Sequence, residues 1–188
     1  CARYKIEYIH VADANFGIFK EKDAQIVDHV IGLRTKTGYP EVFCATWPKN
    51  PTPNVITMIK NLTTNGLDRG LTLSVQSMSE KVLGAVKRRN MDMSNFKVML
   101  DLCNKQNVPS YTELILGLPE ETFDSWRSGI CEIIEAGQHN SIDVWLHQLL
   151  TNAEMNSPEN HAKYLLETVT TKKYLGGLET TEAVSYTH

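Results

Sequence analysis

The feature that most constrains this chain is a regular alternation of short apolar runs with longer amphipathic stretches. "KIEYIHVA" (5–12), "EVFCATW" (41–47), "LTLSVQS" (71–77), "SYTELILG" (110–117) and "SIDVWLHQLL" (141–150) are bounded by turn residues and read as strands. Between them, 21–38, 54–66, 79–89, 93–107 and 122–137 place apolar residues at helical spacing. In the first helix Ile26, Val27, Val30 and Ile31 share a face and Gly38 is the stop. In the fourth the stripe is Phe96, Met99, Leu100 and Cys103, and in the fifth Phe123, Trp126, Ile130 and Ile133. Strands joined through helices of this length run parallel, because each crossover returns the chain to the same end, and the crossovers are right-handed. Such an α/β chain closes as a barrel or spreads as an open doubly wound sheet. No G-x-G-x-x-G follows the first strand, which favours a TIM-like barrel or part of one.

The barrel pattern occupies residues 1–150. Residues 151–188 are more polar, lack the rhythm and read as a C-terminal extension. At 41% hydrophobic and 22% charged the composition is that of an ordinary globular chain. A net charge of −3 gives no electrostatic case for nucleic acid or an anionic membrane. No apolar run reaches the roughly 18–20 residues that span a bilayer. No signal peptide is present in residues 1–12, so the expected compartment is the cytoplasm. Cys1 stands where an initiator Met would, and the chain is expected to be the middle of a larger protein. Cys103 and Cys131, on apolar helix faces, read as small buried hydrophobes in a reducing cytosol.

In parallel α/β folds ligands sit at the carboxyl ends of the strands. That rule selects Asp13, Asn15 and Phe16 after the first strand and Thr46, Trp47, Lys49 and Asn50 after the second. It selects Ser74, Gln76 and Ser77 at the third, Glu113 and Gly117–Leu118–Pro119 at the fourth, and His147, Gln148 and Asn152 at the fifth. Ser74 and Gln76 are two apart and share one face of their strand. They either line a polar interior or pair with each other or the backbone. Glu113, followed by Leu114, Ile115 and Leu116, needs a donor or an edge open to water. Asp13 either caps the next turn or faces a ligand. Lys87, Arg88 and Arg89 suit a helix end. The four cysteines and six histidines have no metal-box spacing, and no G-x-S-x-G elbow or Walker loop occurs.

"VADANFGIF", "LSVQSMSEKVLGAVKRRNM" and "YTELILGLPEETFDSW", in this order on successive strands, resemble the radical S-adenosylmethionine (radical SAM) enzymes, in particular the subgroup whose members often carry a cobalamin-binding domain. The likeness continues through "AGQHNSIDVWLHQLLTNAEMNSPE" and covers roughly residues 5–160. It implies a partial (β/α)6 barrel of which this chain holds strands two through six. It also implies a [4Fe–4S] cluster on a C-x-x-x-C-x-x-C loop. That motif is absent from this chain, and the resemblance places it before Cys1.

Residue by residue, the resemblance implies that Asp13, Asn15 and Phe16 belong to the segment contacting the amino group of S-adenosylmethionine. Ser74 and Gln76 match the polar pair reaching its ribose or carboxylate, and Arg88 (or Lys87) a basic partner of that carboxylate. Leu116, Gly117, Leu118 and Pro119 match the segment along the adenine, with Glu120 where the family usually has glycine. Gln148 ends the last barrel strand, where adenine or substrate contacts are expected. Together with Glu113 these are the expected cofactor residues, with no metal ligand among them. The implied function is the cofactor-binding part of an enzyme generating a 5′-deoxyadenosyl radical, the chain alone being inactive. Its implied partners are S-adenosylmethionine and an unspecified small-molecule substrate. An open barrel edge is an expected route to self-association. The alternatives are a non-radical (β/α) binding module or degenerate paralogue, and an aldolase-like barrel using Glu113 or a lysine as base.

Overall fold

A computed structural model describes residues 2–175 and 178–186, with side chains described for residues 2–169. A single 3-10 turn (Ala2–Tyr4) precedes β1 (Tyr8–His10), and α1 (Lys20–Thr37) follows. Next come β2 (Val42–Cys44), α2 (Pro53–Thr64), β3 (Leu71–Ser74), α3 (Glu80–Ala85) and α4 (Met93–Gln106). The chain continues through β4 (Ser110–Leu116), α5 (Phe123–Glu135) and β5 (Ser141–Leu146). After a second 3-10 turn (Glu154–Asn156) stand α6 (Pro158–Tyr164), β6 (Glu167–Leu175) and β7 (Leu178–Tyr186). Every predicted strand and helix is present, and most are shorter than the apolar pattern that announced them.

Local chemistry explains the boundaries. Gly38 takes the left-handed conformation that closes α1, its N–H donating to the Arg34 carbonyl. Pro53 opens α2 at its first turn, where the missing N–H costs nothing. Ser79 caps α3 by accepting from the Val82 N–H, and Asp92 caps α4 by accepting from Ser94.

β1 and β2 pair in parallel, Tyr8 opposite Val42 and His10 opposite Cys44. β3, β4 and β5 form a second sheet in that order. Along it the Leu71 N–H donates to the Pro109 carbonyl, the Val75 N–H to Glu113 and the Ile115 N–H to Gln76, so the register of β3 on β4 advances in one direction, as in a parallel pair. Gly70 makes the first of these bonds sterically possible. Its φ is +132°, and a Cβ there would lie 2.1 Å from the Pro109 carbonyl oxygen.

The chain divides into two compact units. The first comprises residues 1–73, 91–111 and 136–141. Its core holds α1 against α2, with Ile56, Ile59, Leu62, Leu71, Phe96 and Leu100 excluded from water. The second comprises residues 74–90, 112–135 and 142–188, around Val75, Val82, Leu83, Leu114, Leu118 and Ile133. Within it α5 approaches the turn after β3 closely, since a Cβ on Gly129 would lie 3.0 Å from that of Met78.

Three expectations need correction. Residues 151–188 do carry regular structure: α6, then an antiparallel pair in which Glu167 faces Tyr186 and Leu175 faces Leu178. The Thr- and Val-rich alternation of these strands signals β structure, but their many charges mask it as a solvated tail. Cys131 is exposed, whereas Cys103 is buried as expected. The buried face of α5 runs through Gly129 and Ile133, and Cys131 lies halfway between them, about 200° round the helix. Phe123, placed on the same apolar stripe, is 79% exposed at the first residue of α5.

Candidate functional site

Period-two alternation in β4 buries Ser110, Thr112 and Leu114 and leaves Tyr111, Glu113 and Ile115 half-buried on the opposite face. In β3 Leu71 and Leu73 are buried while Ser74 is exposed. Ser74 and Glu113 therefore lie on the less buried faces of their strands. The candidate residues fall in both units, each group within its own.

In the second unit Ser74 Oγ donates to Glu113 Oε2 at 2.7 Å. This supplies the donor that a carboxylate among leucines and isoleucine requires. Ser74 does not pair with Gln76. The Gln76 carbonyl accepts from Ile115, and its half-buried side-chain amide has no partner among the described residues.

The turn after β4 begins at Gly117 (φ +89°) and continues through buried Leu118 and Pro119. Glu120, in the place where glycine was expected, adopts φ +69°, so the left-handed conformation is made here by a residue that pays for it sterically. Its carboxylate meets Lys81 Nζ at 2.5 Å. Leu116 remains 38% exposed. The backbone N–H of His147 donates to the Leu116 carbonyl at 2.8 Å. Burial holds the His147 imidazole below its ordinary pKa, opposed in part by a hydrogen bond to the Gly117 backbone. Gln148 is exposed just beyond it. Arg88 lies past the end of α3 with an exposed guanidinium that has no ion-pair partner among the described residues. Its neighbour Lys87, the other basic residue considered, is paired with Glu154 at 2.5 Å.

In the first unit the Asn15 N–H donates to Asp13 Oδ1 at 2.9 Å, so Asp13 does cap its own turn. Both residues are exposed. Phe16 is 3% exposed and packs edge-on to Phe43, with ring centroids 5.8 Å apart, and against Trp47 at 5.5 Å. It is a packing anchor of the loop. A buried carboxylate that sequence reasoning passed over, Asp23, fixes this loop by accepting from the N–H groups of Gly17 at 2.8 Å and Phe19 at 3.0 Å. The loops after β1 and β2 enclose a cavity of about 510 Å³ that brings Asn15 and Gly17 together with Lys49, Asn50 and Thr52. Thr46 accepts the Phe16 N–H through its carbonyl at 3.0 Å.

Two further residues that sequence reasoning left out of the cofactor set belong to the turns of the second unit. Ser77, 2% exposed, donates from Oγ to Glu121 Oε2 at 2.6 Å, and its carbonyl accepts from Asn90 Nδ2 at 2.6 Å. Glu121 sits directly after the "GLPE" turn, and its other oxygen accepts from Ser125 Oγ. The available signal was a serine embedded in an apolar stretch, the same one that singled out Ser74 and Gln76.

Among the described residues no group of three or more Cys, His, Asp or Glu side chains is placed to hold a metal ion. Burial raises the Cys103 thiol to about 11, far from the thiolate a cluster requires. These residues do not fit an iron–sulfur cluster. Nor, among the described residues, is any helix long and apolar enough to cross a membrane.

No protein-family model matches the chain. It is 37% identical over 174 residues, 93% of its length, to a 2-(S-pantetheinyl)-carbapenam-3-carboxylate methyltransferase of Streptantibioticus cattleyicolor. It is 36% identical over the same span length to the cobalamin-dependent radical SAM methyltransferase TokK of Streptomyces tokunonensis. It spans about a quarter of the length of each relative (25%). Among solved structures, the radical S-adenosylmethionine methyltransferase TsrM of Kitasatospora setae matches with a TM-score of 0.56 at 13% identity, over 89% of this chain and 32% of that one. That likeness establishes the fold as part of a TIM-like (β/α) barrel. Over nearly its whole length the chain is thus similar to a cobalamin-dependent radical S-adenosylmethionine methyltransferase, of which it spans a quarter.

Proposed function

We propose that these residues bind S-adenosylmethionine in a cobalamin-dependent radical enzyme that transfers a methyl group to a small molecule. The observation that carries the reading is the Gln76 side-chain amide. It is half-buried, has no partner among the described residues, and lies one step along the strand face from the Ser74–Glu113 pair. A half-buried amide with no protein partner is open to a ligand, and a ribose hydroxyl or carboxylate has the groups to hydrogen-bond it. Sequence kinship over 93% of the chain supports the same ligand.

In this reading Glu113 orients the Ser74 hydroxyl, and Ser74 and Gln76 engage the ribose or carboxylate. Arg88 pairs with the carboxylate. Asp13 and Asn15 serve the amino group, with Phe16 anchoring their loop. Leu116 and the backbone of Gly117 border the adenine, buried Leu118 and Pro119 support them, and Gln148 contributes at the end of the last barrel strand. S-adenosylmethionine, when bound, supplies the methyl and adenosyl groups of this chemistry, and the protein's share is orientation and exclusion of water. The cluster ligands belong to a C-x-x-x-C-x-x-C loop outside these residues, and cobalamin to a separate part of the longer protein. Residues 1–150 form the partial barrel and 151–188 an extension of it. The compartment is the cytoplasm. The outer edge of β1, unpaired among the described residues, is a route to self-association, and light scattering that shows a monomer at every concentration would exclude it.

Equilibrium dialysis with labelled S-adenosylmethionine tests the reading. The wild type is expected to bind, and Gln76→Ala to weaken binding by about tenfold, the effect of losing roughly one good hydrogen bond. Absence of binding by the wild type, or full affinity in Gln76→Ala, overturns it.

A further inference from the structure

The turn after β3 carries Gln76, and the turn after β4 carries Gly117–Leu118–Pro119. Both lie in the second unit, beside the backbone bond from the Ile115 N–H to the Gln76 carbonyl, and two side-chain contacts link the segments that follow them, one starting from Lys81 on α3. One is exposed: Lys81 to Glu120, with 73% and 34% of the two side chains accessible. A pair so open to water and salt contributes little. The other is internal. Ser77, 2% exposed, sits one residue after Gln76 and donates a hydrogen bond from its hydroxyl to Glu121 Oε2 at 2.6 Å.

Each end of the internal contact is itself fixed. Ser77 Oγ accepts from the Ser79 N–H at 3.2 Å, and its carbonyl accepts from Asn90 Nδ2 at 2.6 Å. Glu121 is tied to Ser125 at the start of α5, and its N–H donates to the Leu118 carbonyl at 3.2 Å. The glutamate therefore connects three things: the strand end bearing Gln76, the Gly-Leu-Pro turn, and the first turn of α5. A charge-assisted hydrogen bond between partially buried groups is among the stronger polar contacts available. A shift of the order of an ångström at either turn is enough to spoil a binding geometry.

We propose that Glu121 is a positioning residue that, through Ser77, sets the spacing between the Gln76 strand end and the Gly117–Pro119 turn, and so the fit of the adenosyl group. The inference rests on the S-adenosylmethionine reading above. Glu121 acts without touching the ligand, through the hydrogen bonds that each of its oxygens makes to Ser77 and Ser125. The contact is a hydrogen bond and not an ion pair, so the amide of glutamine can replace the carboxylate: its oxygen accepts from Ser77 and its NH₂ donates to Ser125.

Calorimetric titration of the wild type, Glu121→Gln, Glu121→Ala, Ser77→Ala and the Glu121→Ala/Ser77→Ala double variant separates the possibilities. The full-length protein carrying these residues is used, well below its melting temperature and with circular dichroism recorded for each variant. The ligands are S-adenosylmethionine, 5′-methylthioadenosine and methionine. Expected is about a tenfold loss of affinity for both adenosyl ligands in Glu121→Ala and in Ser77→Ala, no further loss in the double variant, and affinity within about twofold of wild type in Glu121→Gln. Methionine binding is unchanged throughout. A merely structural role would lower the melting temperature and leave the affinity ratios among the three ligands intact, and that outcome overturns the inference. So do additive losses in the double variant, or a Glu121→Gln protein as weak as Glu121→Ala. If Glu121→Ala does not fold, Ser77→Ala and Glu121→Gln decide alone. Failure of the wild type to bind either adenosyl ligand instead overturns the S-adenosylmethionine reading beneath it.

Discussion

The loop "ADANFG" after β1 and the paired turns "SVQSM" and "GLPEET" were nominated by the same rule, yet they are held by different forces. In the first, a buried aromatic ring does the holding. Phe16 is wedged against Phe43 and Trp47, the Asp23 carboxylate pins the backbone beside it, and the polar residues Asp13 and Asn15 project into solvent. In the second, side chains bond to side chains across segments far apart in sequence, Ser74 to Glu113 between strands and Ser77 to Glu121 between turns. The first arrangement ties the geometry of the loop to the stability of the core. The second allows geometry to change while the fold persists, because a single side-chain hydrogen bond contributes little net free energy beside a buried ring and much direction.

Three substitutions break or sharpen this contrast. The largest effect is expected from Phe16→Ala. Removing a ring that is 3% exposed costs about 3–5 kcal/mol of unfolding free energy, read as a lower urea midpoint. A loss below about 1 kcal/mol would show that the loop is not core-anchored. Next comes Ser74→Ala, which removes the donor to a half-buried Glu113 and costs about 1 kcal/mol. Glu113→Gln, which keeps an acceptor, costs less. Equal losses in the two would point to charge, not the hydrogen bond, as the link between the strands.

The smallest effect concerns His147. Burial depresses its pKa in the folded chain below the ordinary 6.5 of the imidazole, so the folded state resists protonation more than the unfolded state does. Its contribution is present above the unfolded value and lost as pH falls through the folded one. Urea midpoints measured from pH 7.5 to 5 should therefore decline, and His147→Asn should flatten part of that slope. An unchanged slope would mean that the ring is as well solvated folded as unfolded.

Much of the fold was legible in the chain. The alternation of elements, the stop at Gly38, the helix start at Pro53 and the face shared by Ser74 and Gln76 all follow from local geometry. The pair β6–β7 was not legible, because a two-stranded ribbon with charges on its strands lacks the apolar signature that marks a buried strand. Cys131 was misplaced because an apolar residue near a helical stripe is not necessarily on its buried line, and a two-residue offset turns it to solvent. Of the site, the residue types were readable and the partnerships were not. Asp13 proved to cap its own turn, Phe16 to be core, and Glu120 to adopt a left-handed backbone without glycine.

The sequence by itself determined which residues stand at strand ends and which face of each strand is polar, because a period of two leaves only two sides to choose from. Kinship supplied the ligand class of the proposal. Only the tertiary structure decided that Ser74 meets a glutamate 39 residues on, and Ser77 one 44 residues on. Those meetings depend on the register of β3 against β4, which is set by the close passage of Gly70 beneath the Pro109 carbonyl and by the bonds that follow it. Periodicity fixes orientation along one strand. Register between strands is a property of the pair, fixed when two distant segments pack together.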